Sequence, residues 1–191
     1  MPMNPIDFKS VGLFSAKVVK RLYKSAFPAN ERMPFYLLRL SAMRNQNNDF
    51  WALEQNGQTV GLLYVVRRQT MGIIGYFAIA ESHRSAGLGA EALNALKQRF
   101  PRLHWLLNIE VLDKAADNYP QWCRRRQFYQ RHAFHMLPYT LAIGGTLYAL
   151  LATDGTLERA AILAMYREFS WGADLEVMPS EFNNLLFESE D

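Results

Sequence analysis

Cysteine is nearly absent from this chain: among 191 residues there is one, Cys123. A disulfide framework is thereby excluded, no Cys-Cys metal spacing exists, and a reducing compartment such as the cytoplasm suits the protein. The four histidines, His83, His104, His132 and His135, follow no zinc pattern. No stretch approaches the roughly 18 to 20 uncharged apolar residues of a membrane span. The start, Met1-Pro2-Met3-Asn4-Pro5, lacks a basic segment followed by an apolar one, so a soluble, unprocessed protein is expected. There is also no repeat, low-complexity tract or linker. A hydrophobic content of 50% over this length supports one sizeable core, and a single domain over residues 1–191 is expected.

Positive charge is missing from one end. No Lys or Arg follows Trp171, whereas six of the eighteen acids do (Asp174, Glu176, Glu181, Glu188, Glu190 and Asp191), leaving twelve acids against twenty-one bases in the body. A basic body suits a nucleotide cofactor, a nucleic acid or an acidic surface. The acidic tail either folds back, packs on a partner subunit, or stays solvated.

What is present is strongly patterned. Val18, Val19, Leu22, Tyr23 and Ala26 recur at helical spacing and stop at Phe27-Pro28, and Leu37, Leu38 and Leu40 predict a second helix over 34–43. Asn56-Gly57 lies between two apolar runs, 50–53 and 60–66, which predicts a tight hairpin because both residues tolerate positive φ. A third strand over 72–80 leads to Arg84-Ser85-Ala86-Gly87-Leu88-Gly89. Leu88, Ala92, Leu93, Leu96 and Phe100 then mark one face of a helix ended by Pro101. A strand over 103–111, a helix over 119–132, a hairpin of 139–143 and 146–152 around Gly144-Gly145, and a helix over 157–169 complete the order.

The six residues 84–89 sit between strand and helix, where unpaired N–H groups and the positive end of the helix dipole bind a pyrophosphate. Two glycines let the backbone approach an anion, and Arg84 adds a planar donor fork. Residues 87–92 also satisfy G-x-G-x-x-A, with Glu110 about twenty residues on, which is a dinucleotide fingerprint. Against that, Glu81 to Ala86 separate the strand from the first glycine, and the antiparallel hairpins on either side break the βαβαβ succession.

Strand, R-x-x-G-x-G, helix resembles the acetyl-coenzyme A signature of the GNAT superfamily of N-acetyltransferases, matched by Arg84, Gly87 and Gly89. The order of elements from Ser15 to Ala152 resembles the family fold as well. The resemblance implies an α+β fold, a mostly antiparallel twisted sheet with helices on both faces, and residues 153–191 as an extension that builds a homodimer interface or covers the site. Phe27-Pro28-Ala29-Asn30-Glu31-Arg32 resembles a bacterial subgroup with F-P-x-x-E-R in its first helical region. Arg125-Arg126-Gln127-Phe128-Tyr129-Gln130-Arg131-His132-Ala133-Phe134 resembles that subgroup's R-R-x-F-Y-x-x-x-G-F, with Ala133 in place of the usual glycine.

The resemblance further implies that Arg84, Ser85, Ala86, Gly87, Leu88 and Gly89 hold the pyrophosphate of acetyl-coenzyme A, while Phe77, Ala78 and Ile79 pair with its pantetheine arm. It implies direct transfer to an amine on a small molecule or a protein, with a backbone N–H near Ile79 stabilising the carbonyl oxygen. An amine with a pKa of about 10.4 must first lose a proton. Tyr129 matches the tyrosine that protonates the departing thiolate. Relatives carry a basic glutamate on the strand before the turn, where this chain has Ile73. Glu110 on the next strand is one candidate base, Glu31, in the region that lines the acceptor site, is a second with an N-cap or a surface ion pair as its alternative, and water alone is a third.

Arg124-Arg125-Arg126 with Trp122, Phe128 and Tyr129 invites a nucleic-acid reading. Consecutive helical residues diverge by about 100°, so the three arginines cannot form one patch, and a solvated helix face is the simpler account. A cytoplasmic N-acetyltransferase is thus the principal expectation. A non-catalytic acyl-coenzyme A sensor and a basic nucleic-acid module are the alternatives.

Overall fold

The computed structural model describes residues 5–111, 115, 118–170 and 172–180. In chain order the elements are β1 (Asp7–Ser10), α1 (Leu13–Ala26), α2 (Phe35–Arg44), β2 (Asn48–Gln55), β3 (Gln58–Arg68), β4 (Met71–Ile79), α3 (Leu88–Arg99), β5 (His104–Glu110), α4 (Tyr119–Arg131), β6 (His135–Ile143), β7 (Thr146–Ala152), α5 (Arg159–Phe169) and β8 (Leu175–Pro179). The fold is mixed α+β, and its ladders are mostly antiparallel. No helix among the described residues is long and apolar enough to cross a membrane. The residues cluster into two units, one of 1–70 with 74–103 and one of 71–73 with 104–191.

In the first unit the strand order is β1-β2-β3-β4. Asn56 and Gly57 take φ of 53° and 75°, so the predicted two-residue loop closes β2 on β3. Residues 60–66 of β3 are buried without a break, the pattern of a strand covered on both faces. Helix α1 packs on β3 and α2 on β2. On α1, Val19 and Tyr23 are buried while Val18 is exposed, because neighbours about 100° apart on a helix cannot both face the core. Backbone pairing to β2, with Phe8 opposite Leu53, makes a strand of the short and largely exposed β1, which periodicity does not reveal.

In the second unit Met71–Ile73 of β4 runs parallel to His104–Leu106 of β5, and the order continues β5-β7-β6-β8 with every further pair antiparallel. Strand β6 starts four residues before the predicted Tyr139, and its register slips between Met136 and Thr140, around a proline that has no N–H to give. Strand β8 was not anticipated. It pairs with β6, Leu141 opposite Val177, and buries Val177 completely while Glu176 stays exposed. Asp174 and Glu176, counted above with the tail, therefore lie at and within a sheet strand. Glu181, Glu188, Glu190 and Asp191 lie outside the described residues.

Candidate functional site

The chain leaves β4 through a short 3-10 turn, Glu81–His83, and enters α3 through residues 84–89. Ser85 and Gly87 take φ of 67° and 77° in that turn. A left-handed serine costs about 1–2 kcal/mol, strain of the kind that collects where a backbone has a task. The first bond of α3 runs from the Glu91 N–H to the Gly87 carbonyl at 3.1 Å, so the N–H groups of Leu88, Gly89 and Ala90 precede the helical ladder. Residues 84–87 are exposed, and a Cβ built on Gly87 meets no atom within 4 Å. Arg84 donates through Nε to the Ile79 carbonyl at 3.4 Å, which keeps its cation at the turn. Glu91, the acid in the first helical turn, has its carboxylate occupied by the Ile6 N–H at 2.7 Å.

Phe77, Ala78 and Ile79 are half-buried at the end of β4, past the Met71–Ile73 stretch that pairs with β5. Gly61 on β3 sets the position of that end. A Cβ there would fall 2.7 Å from the Ala78 carbonyl oxygen, and next to it the Ala80 N–H donates to the Val60 carbonyl at 2.8 Å. The residue was not singled out from the sequence, although a lone glycine inside an apolar strand signals such an approach.

Two tyrosines hold the 27–35 segment, Tyr23, which sequence reasoning took only as part of a helical pattern, and Tyr76, which it passed over. The Tyr76 hydroxyl on β4 donates to the Glu31 carbonyl at 2.8 Å and accepts the Met33 N–H at 3.0 Å. Tyr23 donates to the Met33 carbonyl at 3.0 Å. The rings of Tyr23 and Phe27 meet the Tyr76 ring edge-on at 4.9 and 5.0 Å. Burial pushes both phenols above their ordinary range and keeps them as neutral donors. Phe27 of the F-P-x-x-E-R run is therefore a packing anchor, and Glu31 is fixed through its backbone with its side chain half-buried.

The remaining site candidates belong to the second unit. Glu110 closes β5, half-buried, opposite Tyr148. Asn108 shares its face by strand alternation and accepts the Tyr166 hydroxyl of α5 at 3.1 Å. Tyr129 on α4 is buried, its ring 5.3 Å from Phe128 and 5.7 Å from Phe134. Ala133 ends α4 with φ 58°, the left-handed conformation of a glycine, and the Phe134 N–H still reaches the Tyr129 carbonyl at 3.1 Å. The substitution therefore preserves the turn. Arg124 and Arg125 are exposed while Arg126 lies over the Trp122 ring at 5.1 Å, so the three do not form one basic patch. Ile73 is fully buried in the core.

Residues 16–134 match the model of the acetyltransferase (GNAT) family. No curated protein matches the chain in sequence. Among solved structures, one similar fold is a putative GNAT-family acetyltransferase from Bacteroides thetaiotaomicron, 19% identical over 85% of this chain and 94% of that one, with a TM-score of 0.65. Another is an aminoglycoside 6'-N-acetyltransferase complexed with coenzyme A, 14% identical over 81% and 99% of the two chains, TM-score 0.61. A third is the ribosomal-protein-S18-alanine N-acetyltransferase of Escherichia coli, 13% identical over 80% and 96%, TM-score 0.55. At such identities the likeness is one of fold.

Proposed function

The chain belongs to the acetyltransferase (GNAT) family, and on that premise we propose that it is a cytoplasmic enzyme transferring an acetyl group from acetyl-coenzyme A directly to an amine. The observation that carries this reading is the 84–89 turn. Two left-handed residues lead through an exposed turn, beside the Arg84 cation, to the N–H groups that precede the α3 ladder, which fits a diphosphate. Bound acetyl-coenzyme A supplies a thioester carbonyl open to amine attack and a thiolate that departs.

The chain's own residues do the rest. The turn holds the diphosphate, and the backbone of β4 at Phe77, Ala78 and Ile79, beyond the Met71–Ile73 stretch that pairs with β5, pairs with the pantetheine arm as a further strand would. A backbone N–H near Ile79 stabilises charge on the carbonyl oxygen. Tyr129 holds a phenolic proton for the departing sulfur, and Glu110 takes the proton of the incoming amine. The segment around Glu31, pinned by Tyr76, faces the acceptor, in keeping with kinship to the F-P-x-x-E-R subgroup.

Calorimetric titration with acetyl-coenzyme A tests the cofactor site. The native chain is expected to bind at micromolar strength and Gly87→Glu about 100-fold more weakly, since a side chain at positive φ strains the turn and a carboxylate repels the diphosphate. Absence of binding by the native chain overturns the reading. Thiol release with a panel of amines tests transfer, and binding without release for any amine replaces the enzyme with a sensor.

A further inference from the structure

Helix α1 carries Lys17, Lys20 and Lys24 at spacings of three and four, hence along one face. They line one side of a cleft of about 890 Å³ in the first unit, and Arg32 and Arg39 line it from the following segment and α2. Among the described residues no carboxylate lines it; Glu31, the acid of the connecting segment, is not part of the wall. Like charges at these spacings oppose α1 itself, an arrangement that an anionic ligand relieves.

The cleft is not simply a basic surface. Between the cations, Ala16, Ala29, Met33 and Phe35 supply apolar wall, and Tyr36 stands 68% exposed at the rim. Among the described residues the exposed large apolar side chains (Leu13, Phe14, Val18, Tyr36 and Met43) all belong to α1 and α2. Cations alternating with apolar surface match a ligand that alternates carboxylates with apolar side chains. A nucleic acid would require a row of stacking faces, and Tyr36 is the exposed aromatic on this wall.

We propose that this cleft docks an acidic peptide segment of a protein partner, its carboxylates meeting Lys17, Lys20, Lys24 and Arg39 and its apolar side chains covering the wall between them. The docking holds whichever amine is acetylated, and stands or falls apart from acetyl-coenzyme A binding.

Fluorescence anisotropy with a labelled dodecapeptide of alternating Glu and Leu or Phe tests it on the full chain. The expected result is saturable binding, weakened about tenfold between roughly 50 and 300 mM salt as screening lengths shorten. A triple variant, Lys17→Glu with Lys20→Glu and Arg39→Glu, is expected to lose about tenfold or more while its calorimetric affinity for acetyl-coenzyme A is unchanged. A milder pair, Lys20→Ala with Arg39→Ala, is expected to weaken the peptide severalfold and supplies the measurement if the triple variant does not fold. The proposal is overturned by no binding of the Glu peptide, by equal binding of a Lys-for-Glu peptide or of oligothymidylate, by full competition from free glutamate at the same molar concentration, or by unchanged affinity in a folded variant.

Discussion

Both units bury tyrosine hydroxyls; Tyr64 of the first unit engages the Ser41 side chain at 3.2 Å, and three others differ in the kind of partner they take. In the first unit Tyr23 and Tyr76 bind the backbone of Glu31 and Met33, a non-helical stretch between α1 and α2. In the second, Tyr166 binds the side chain of Asn108. A hydroxyl on a backbone group fixes the path of a segment and leaves its side chains free to vary. A hydroxyl on an amide side chain commits both partners to each other and closes that part of the strand face to other work. Among the described residues the same contrast holds at the surface, since their exposed large apolar side chains lie on the first unit. The first unit presents a pinned but displayed segment, and the second encloses its polar pair.

The largest expected effect tests chemistry rather than architecture. Tyr129→Phe, in the second unit, should lower kcat about 100-fold, a typical share for a general acid, and leave acetyl-coenzyme A affinity intact; undiminished turnover would remove its acid role.

Next comes the tyrosine comparison itself. Tyr76→Phe removes two bonds to the Glu31–Met33 backbone and should cost about 1–3 kcal/mol in urea unfolding while raising KM for the acceptor amine. Tyr166→Phe leaves the Asn108 oxygen without its donor and should cost about 1–2 kcal/mol with no change in KM. Equal effects on KM would erase the distinction between a displayed segment and an enclosed pair.

Smaller still is the contrast between two left-handed helix ends. Ala133→Gly should stabilise the protein by about 1 kcal/mol by relieving φ 58°, whereas Gly87→Ala, at φ 77°, should destabilise it by a similar amount and weaken cofactor binding as well. Thermal melts with and without acetyl-coenzyme A separate the two.

Last is alkaline pH. Burial favours the neutral phenols of Tyr23, Tyr76 and Tyr166 in the folded state and raises them above the ordinary 10.0. Their contribution is therefore complete below about pH 10 and is lost as pH climbs from there toward the folded-state values. Urea midpoints should be flat up to about pH 9.5 and then fall, and either Phe variant should shallow that fall.

Much of the fold was legible because it is coded locally. Asn56-Gly57 and Gly144-Gly145 name their hairpins, a 3.6-residue period marks the helices, and Arg84, Gly87 and Gly89 announce the turn. The two missed strands carry no such code. Four residues of β1 and five of β8 are strands because β2 and β6 offer them ladders. The full start of β6 was hidden by Pro138, which interrupts the alternation that periodicity reads. Of the candidate site, the turn and the end of β4 were legible, whereas Gly61, Tyr23 and Tyr76 were not singled out.

The sequence by itself determined where the chain turns, where its helices begin, and that residues 84–89 make a glycine-containing turn into a helix start, since each depends on φ preferences and donors within a few residues. The tertiary structure alone decided that a tyrosine 45 positions away pins Glu31, that one 58 positions away engages Asn108, and that five cations share one apolar cleft. Those outcomes depend on which distant groups remain within hydrogen-bonding or contact distance after the core has packed, and no short window of sequence contains both partners.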